Sequence, residues 1–515
     1  MKSAYLLSAS LVAGIIILFV PLTKLQAQQP DWAKVHTVTM SSIESLYNLN
    51  FEEAEARANE VIKLAPQDPR GYFFRAMTYY YRLYYARNSG LPQNEIDAEL
   101  QKFLGYSQQT INLCERFVVQ NPQDSKALFY MGGLYGYRGL ALGLSGKMSE
   151  YLTAAREAKK GVDFLKQAVA LDPTNADAQM GLGLFNYLIS QAPSAAQTII
   201  KLAGLSGNRN EGLRQLEYAA ANGIYARAEA HSWLAKIYSS GFLFVGEGLY
   251  ERAERHFQSF LALYPGSTLI RILYGEMLSS DALRRTSDAI AQFRIAANGN
   301  EKKLQRLITV AHFHIGYAYQ LMFNFNEATI AFQKALLLHP DWTFIHYNIG
   351  LCAELQGNRT AAMQSYAKAK DNTNAAKRLA EPLSEKELQM LKCELAFDGG
   401  DDTKALAFGG ELLKRTDLAS SERAKFLYIC GRALAAKGDT KLAEGYFAQA
   451  LACKLDEEND LKPLLHYHLG LAQAKNGKKS DAAGSLEQAL GFKNYDNEGI
   501  VRRNIERELA RLKRS

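Results

Sequence analysis

A chain of 515 residues, 48% hydrophobic and 22% charged, is long and apolar enough for extensive packing, and its 60 basic against 53 acidic residues leave a net charge of only +7. That mild balance excludes a nucleic-acid partner, which calls for Lys and Arg clustered against phosphate. The five cysteines, Cys114, Cys352, Cys393, Cys430 and Cys453, are an odd number without a C-x-x-C spacing, so they supply neither a disulfide framework nor a zinc-type ligand set.

Residues 1–27 differ from the rest. Lys2 gives a positive start, Leu6 to Val20 an apolar core, Pro21 a breaker and Leu25-Gln26-Ala27 a cleavage-like end, the pattern of a secretory signal. Leu6 to Leu22 also approaches the roughly 20 residues that span a bilayer, so an uncleaved anchor over residues 6–22 stays open. Either way the chain is expected to be exported, to the periplasm or the cell exterior.

From residue 28 onward apolar residues recur with helical spacing in pairs of segments. The first pair runs from Trp32 to Leu64, turning at Asn48-Leu49-Asn50 and closed by Pro66 and Pro69. In the second, after Arg70, an insertion separates Tyr79 from Thr110. The third (Ser125 to Pro173) carries one around Ala141 to Lys147, the fourth (Ala176 to Gly223) one from Gln191 to Asn210, and the fifth a short one from Gly241 to Gly246. The sixth lies near Leu269 to Asn298. The seventh and eighth are nearly the same text: His312, Ile315, Gly316 and Tyr319 share one helix face, Ala328, Phe332 and Ala335 the next, Pro340 stops it, and Gly350 follows Gly316 after a period of about 34 residues. Three more pairs span Ser384 to Thr416, Ser421 to Lys454 and Leu461 to Phe492. Asn372 to Leu383 and Asp456 to Asp460 read as linkers, and Asn497 to Lys513 as a solvated capping helix.

A large residue, a small one four later, then small-aromatic-small and Pro resembles the tetratricopeptide repeat. The resemblance implies an all-α, right-handed superhelical solenoid of about eleven helix hairpins with long insertions in its amino-terminal half. The expected organisation is 1–27 signal or anchor, 28–300 irregular repeats, 301–495 regular repeats and 496–515 cap. Gly181-Leu182-Gly183-Leu184-Phe185-Asn186, with Leu205 to Arg209 and Gly212 to Leu216, is also similar to the glycine-rich core of the inclusion-body-clearance family of such proteins. That likeness implies an extended hairpin and no activity.

No H-E-x-x-H, G-x-S-x-G or phosphate-loop motif occurs, so no catalytic, cofactor-binding or metal-binding residue is expected. His231, His312, His346 and His466 each lie four residues before the small residue of their helix, a packing slot, and the two H-x-H pairs point apart by about 200°. Gly316, Gly350, Gly431 and Gly470 read as points of close helix approach.

By the resemblance, the residue three before the small one faces the concave groove. That slot holds Phe73, Phe129, Met180, Ser232, Ile272, Phe313, Tyr347, Tyr428 and Tyr467, and its six aromatics suit an extended peptide or sugar rings. The family's carboxylate-clamping Lys and Asn are missing. The apolar insertion Phe242-Leu243-Phe244-Val245 reads as a second docking edge. The expected function is a non-enzymatic, protein-binding scaffold of the cell envelope; the alternative is an accessory to polysaccharide or lipid handling at a membrane.

Overall fold

The computed structural model describes residues 29–88, 91–145, 147–192, 194–202, 204–239, 246–299, 301–369, 372–456 and 459–514. The signal or anchor reading of residues 1–27 lies outside them, as does the docking edge at Phe242, Leu243, Phe244 and Val245. Among the described residues no helix is long and apolar enough to cross a membrane.

Among the described residues helices follow one another in eleven antiparallel pairs. Hairpin one is α1 (Trp32–Tyr47) and α2 (Phe51–Leu64); two is α3 (Pro69–Asn88) and α4 (Gln93–Gln120); three is α5 (Ser125–Gly143) and α6 (Met148–Leu171). Hairpin four pairs α7 (Ala176–Ser190) with α9 (Arg209–Asn222) around the short α8 (Ser194–Leu202); five is α10 (Arg227–Tyr238) and α11 (Tyr250–Leu263); six is α12 (Thr268–Leu278) and α13 (Thr286–Ala297). Seven is α14 (Glu301–Leu321) and α15 (Phe325–Leu338); eight is α16 (Phe344–Leu355) and α17 (Arg359–Tyr366), followed by α18 (Thr373–Ala380). Nine is α19 (Glu385–Asp398) and α20 (Asp402–Leu413); ten is α21 (Ser420–Ala436) and α22 (Thr440–Leu451); eleven is α23 (Leu461–Lys475) and α24 (Lys479–Gly491), capped by α25 (Glu498–Arg514). The architecture is an all-helical repeat superhelix.

Each hairpin closes because its small residue admits a large one. A Cβ on Gly316 would lie 2.6 Å from the Phe332 ring, on Gly350 2.5 Å from Tyr366, on Gly431 2.6 Å from Phe447 and on Gly470 2.7 Å from Leu486. Phe332, Tyr366, Phe447 and Leu486 are buried, so they have nowhere to retreat. Asp31, Asp124, Asn175, Asn208, Asn358, Asp401 and Asp439 cap helix starts, each accepting a backbone N–H. The hairpin turns of pairs eight to eleven use Gly357, Gly400, Gly438 and Gly477 at positive φ, whereas Leu49 and Phe323 hold the left-handed conformation in pairs one and seven.

The insertions of hairpins two and three are not surface loops. They lengthen the helices: α4 has 28 residues and α6 has 24, against 14 in α15. The apolar content of the insertions in hairpins three and four is largely consumed by packing. Leu142, Ile200 and Leu205 are buried, while Leu202 is 83% exposed. The segment 372–383, read as a linker, contains α18, whose last carbonyls, Arg378 and Leu379, accept from the Arg359 guanidinium.

Contacts between distant hairpins fix the superhelical path. Tyr47 of α1 packs on Phe260 with ring centroids 5.3 Å apart, and Ser267 Oγ donates to the Tyr47 carbonyl at 2.8 Å. At the other end α25 caps hairpin eleven through Val501 and Ile505 against Leu486 and Ala489. Its polar face is not simply solvated, as the sequence implied. Arg503 Nη1 donates to Glu247 Oε1 at 2.9 Å, Arg507 Nη2 donates to the Glu247 carbonyl at 2.6 Å, Arg209 Nε donates to Oε1 at 2.8 Å, and Tyr187 Oη to the same oxygen at 2.9 Å. The Glu247 side chain is fully buried among them, so α25 latches hairpin eleven onto hairpins four and five.

Candidate functional site

The two halves of the superhelix treat their inner faces differently. In hairpins one to five the interior is filled by the chain's own rings around Glu229 of α10. Its carboxylate accepts from Tyr47 Oη at 3.0 Å, from Trp233 Nε1 at 2.8 Å, and from the Tyr81 and Tyr137 hydroxyls. Burial, and then the charge of Glu229, pushes the Tyr47, Tyr81 and Tyr137 phenols far up, so they stay protonated donors. Lys236, over the Trp233 ring at 4.2 Å, is pushed down to about 8 by burial, with Glu229 opposing the shift. A remaining cavity, lined by Tyr47, Phe73, Tyr81, Phe129, Tyr137 and Glu229 among others, is about 70 Å³, room for a few waters and not for a peptide.

This filling decides where several slot residues lie. Phe73 is 8% exposed, against Phe74, Phe129 and Tyr130. Phe129 is half-buried against Tyr130, and Met180, Ser232 and Ile272 are buried. In hairpin ten Tyr428 is also 8% exposed, wedged between Phe447, His468 and the Arg432 guanidinium. Tyr467 is half-buried beneath α25, its phenol bonded to Asn504. Tyr428 and Phe73 thus hold their own helices together and have no free ring face to offer a ligand.

Hairpins seven and eight keep their rings open. From Phe313, half-buried in α14, a chain of aromatics runs in both directions. Tyr317, one turn later, stacks on it with centroids 6.3 Å apart and an angle of 15°; Phe344 at the start of α16 meets it edge-on at 5.4 Å. Trp342 follows Phe344 at 5.8 Å and His339 stacks on Trp342 at 5.3 Å. Tyr347, one turn after Phe344, is half-buried against Tyr366 at 5.8 Å. Tyr317 is 40% and Phe344 42% exposed, large values for rings so well connected. Burial raises the Tyr317 phenol even so, with Asp398 of α19 adding to the shift. The slot rule reads one residue per helix and so passes over Tyr317 and Phe344. Both were within reach of the sequence, since they lie at i+4 from Phe313 and i−3 from Tyr347 on the same helix faces.

The histidines pack. His231 Nδ1 meets His256 Nδ1 at 2.9 Å, His466 stacks on Phe492, His468 on Phe447 and His314 on Phe293. Among the described residues no three His, Cys, Asp or Glu side chains converge as a metal set.

The repeat geometry now has its counterpart among known proteins. The family described as Iml2/Tetratricopeptide repeat protein 39 matches residues 145–393, from hairpin three into hairpin nine and just under half of the chain. The chain has a tetratricopeptide-repeat fold with an Iml2-like middle segment. Its likeness to the Iml2 family, read in the sequence over residues 181–216, spans that whole middle segment. Among solved structures it is similar to yeast Tom70 (14% identity, 94% of this chain and 96% of that one, TM-score 0.27) and to human IFIT1, solved as a dimer with m7Gppp-AAAA (17% identity, 82% and 95%, TM-score 0.29). It is also similar to PilW, a type IV pilus biogenesis factor (16% identity, 47% and 93%, TM-score 0.27). The repeat fold itself is that of a protein-binding scaffold.

Proposed function

We propose that the chain is a non-enzymatic scaffold of the cell envelope that holds an extended segment of a partner protein in the concave groove of hairpins seven to nine. The observation that carries this reading is the continuous aromatic run from His339 through Trp342, Phe344 and Phe313 to Tyr317, in which Phe344 and Tyr317 are 42% and 40% exposed. Rings of this kind offer large contact area at small entropic cost, which suits recognition of an extended chain. Placement in the envelope rests on the signal-like pattern of residues 1–27, and the scaffold role on the repeat fold.

The test is co-purification from envelope extract, with and without detergent, using the wild-type chain and a Phe344→Ala/Tyr317→Ala double variant. One stoichiometric protein retained by the wild type and lost by the variant supports the reading. Recovery only of membrane or glycan, unaffected by the two substitutions, transfers the role to the polysaccharide or lipid alternative.

A further inference from the structure

The charges lining the groove beyond Tyr317 pair off one by one. Glu394 and Asp398 lie one turn apart on one face of α19, and Lys425 and Arg432 two turns apart on one face of α21. Lys425 takes Glu394 at 2.8 Å, Arg432 takes Asp281 at 2.8 Å, and Arg284 takes Asp402 at 2.6 Å. Asp398 is left over: among the described residues no Lys, Arg or His nitrogen comes within 4.0 Å of its carboxylate, although its neighbours include Lys425 and Arg284 at longer range. It is also the last residue of α19. Burial, with Asp281 and Glu394, pushes its carboxyl up to about 6, as expected of a site short of one positive charge.

The end of α19 lies against the end of α14, where a Cβ on Gly399 would come 2.6 Å from the Leu321 carbonyl oxygen, and the exposed Phe313–Tyr317 stack ends one turn before Leu321. We propose that Asp398 and the Phe313–Tyr317 stack together form a pocket for one lysine or arginine side chain, so that the partner segment held in the groove is a basic peptide. The inference rests on the groove reading above and adds the chemistry of its occupant. The aliphatic stem lies along the ring faces, the cationic head meets their quadrupoles, and the carboxylate accepts its N–H groups. Charge complementarity selects this occupant: an acidic segment would bring a second unpaired negative charge to Asp398, and a neutral one would leave the existing charge unmatched. The polarity is opposite to that of repeats that clamp a terminal carboxylate with Lys and Asn.

The experiment is fluorescence anisotropy of the full chain with short labelled peptides of alternating Ser and Leu carrying a central Lys, Arg, norleucine or Glu. The Lys and Arg peptides should bind at least about tenfold more tightly than norleucine, and Glu least. Asp398→Asn should erase that preference while leaving norleucine affinity and the melting temperature no lower than in the wild type. Equal binding of Lys and norleucine by the wild type, or a Lys preference that persists in Asp398→Asn, overturns the cation pocket while leaving the groove standing. Failure of every peptide to bind, or binding indifferent to Phe344→Ala, overturns the groove reading and the pocket with it.

Discussion

Replacing Glu247 with Gln perturbs the superhelix at one point. The side chain is fully buried and receives two bonds from Arg209, one from Arg503 and one from Tyr187, while Arg507 bonds its backbone carbonyl. Gln keeps the shape, but it removes the charge and turns one oxygen into a donor facing other donors. Breaking a buried ion pair from one side costs about 3 to 5 kcal/mol when the partner charge stays buried. Here Arg209 and Arg507 are about a third exposed and recover water, whereas Arg503, at 17%, does not, so the cost falls at about 3 kcal/mol. The latch is one of two attachments of α25; the other is the apolar contact with hairpin eleven, which the substitution leaves alone. The loss should therefore be local. Native-state hydrogen exchange should show protection of residues 498–512 and 246–249 falling about a hundredfold, with α14 and α19 unchanged. Unaltered protection there, or a uniform loss from α12 to α24, would refute the claim that Glu247 latches the last hairpin to the middle of the chain.

Gly350→Leu should lower stability by about 1 to 3 kcal/mol, because its side chain would enter space held by the buried Tyr366 ring, whereas the half-buried His346→Phe should change the melting temperature little. Acid should weaken the fold before the ordinary carboxylates titrate. Burial, then His256, holds His231 down at about 4, and burial, then Arg432, holds His468 well below its usual value, so the unfolded chain binds more protons from about pH 6.5 downward. That stability is present above pH 6.5 and lost as pH falls through the folded-state values; melting curves from pH 7.5 to 4.5 should show the decline, and His231→Phe should make it shallower. Asp398 acts with the opposite sign. Its folded carboxyl, raised to about 6, costs stability at neutral pH, so Asp398→Asn should melt higher than wild type at pH 7.5 and lose that advantage toward pH 4.

The hairpins were legible in the sequence because their logic is local. Gly316 and Phe332, or Gly350 and Tyr366, are partners within one repeat, and the spacing that brings them together recurs along the chain. The insertions of hairpins two and three were legible as extra length, but not as helix, since Tyr79 to Thr110 mixes turn residues with apolar runs and the extension is fixed by packing of α3 on α4. What joins distant hairpins had no local signature. Glu229 and Glu247 each look like a solvent-facing acid in their own segments, and only the folded path brings Tyr47 to the first and Arg503 to the second. For the same reason the slot rule could not distinguish Phe73 or Tyr428, whose ring faces other helices occupy, from Phe313, which keeps a solvent-facing neighbour in Tyr317.

The most direct test of the scaffold reading is a hydrogen-exchange footprint of the chain bound to the partner recovered from envelope extract. The groove account predicts added protection confined to α14, the start of α16 and the end of α19, around residues 310–321, 344–351 and 390–398, and its loss in Phe344→Ala/Tyr317→Ala. Protection confined instead to the outer helices α15, α17 and α20, or to residues 246–249, would place the partner elsewhere and contradict it.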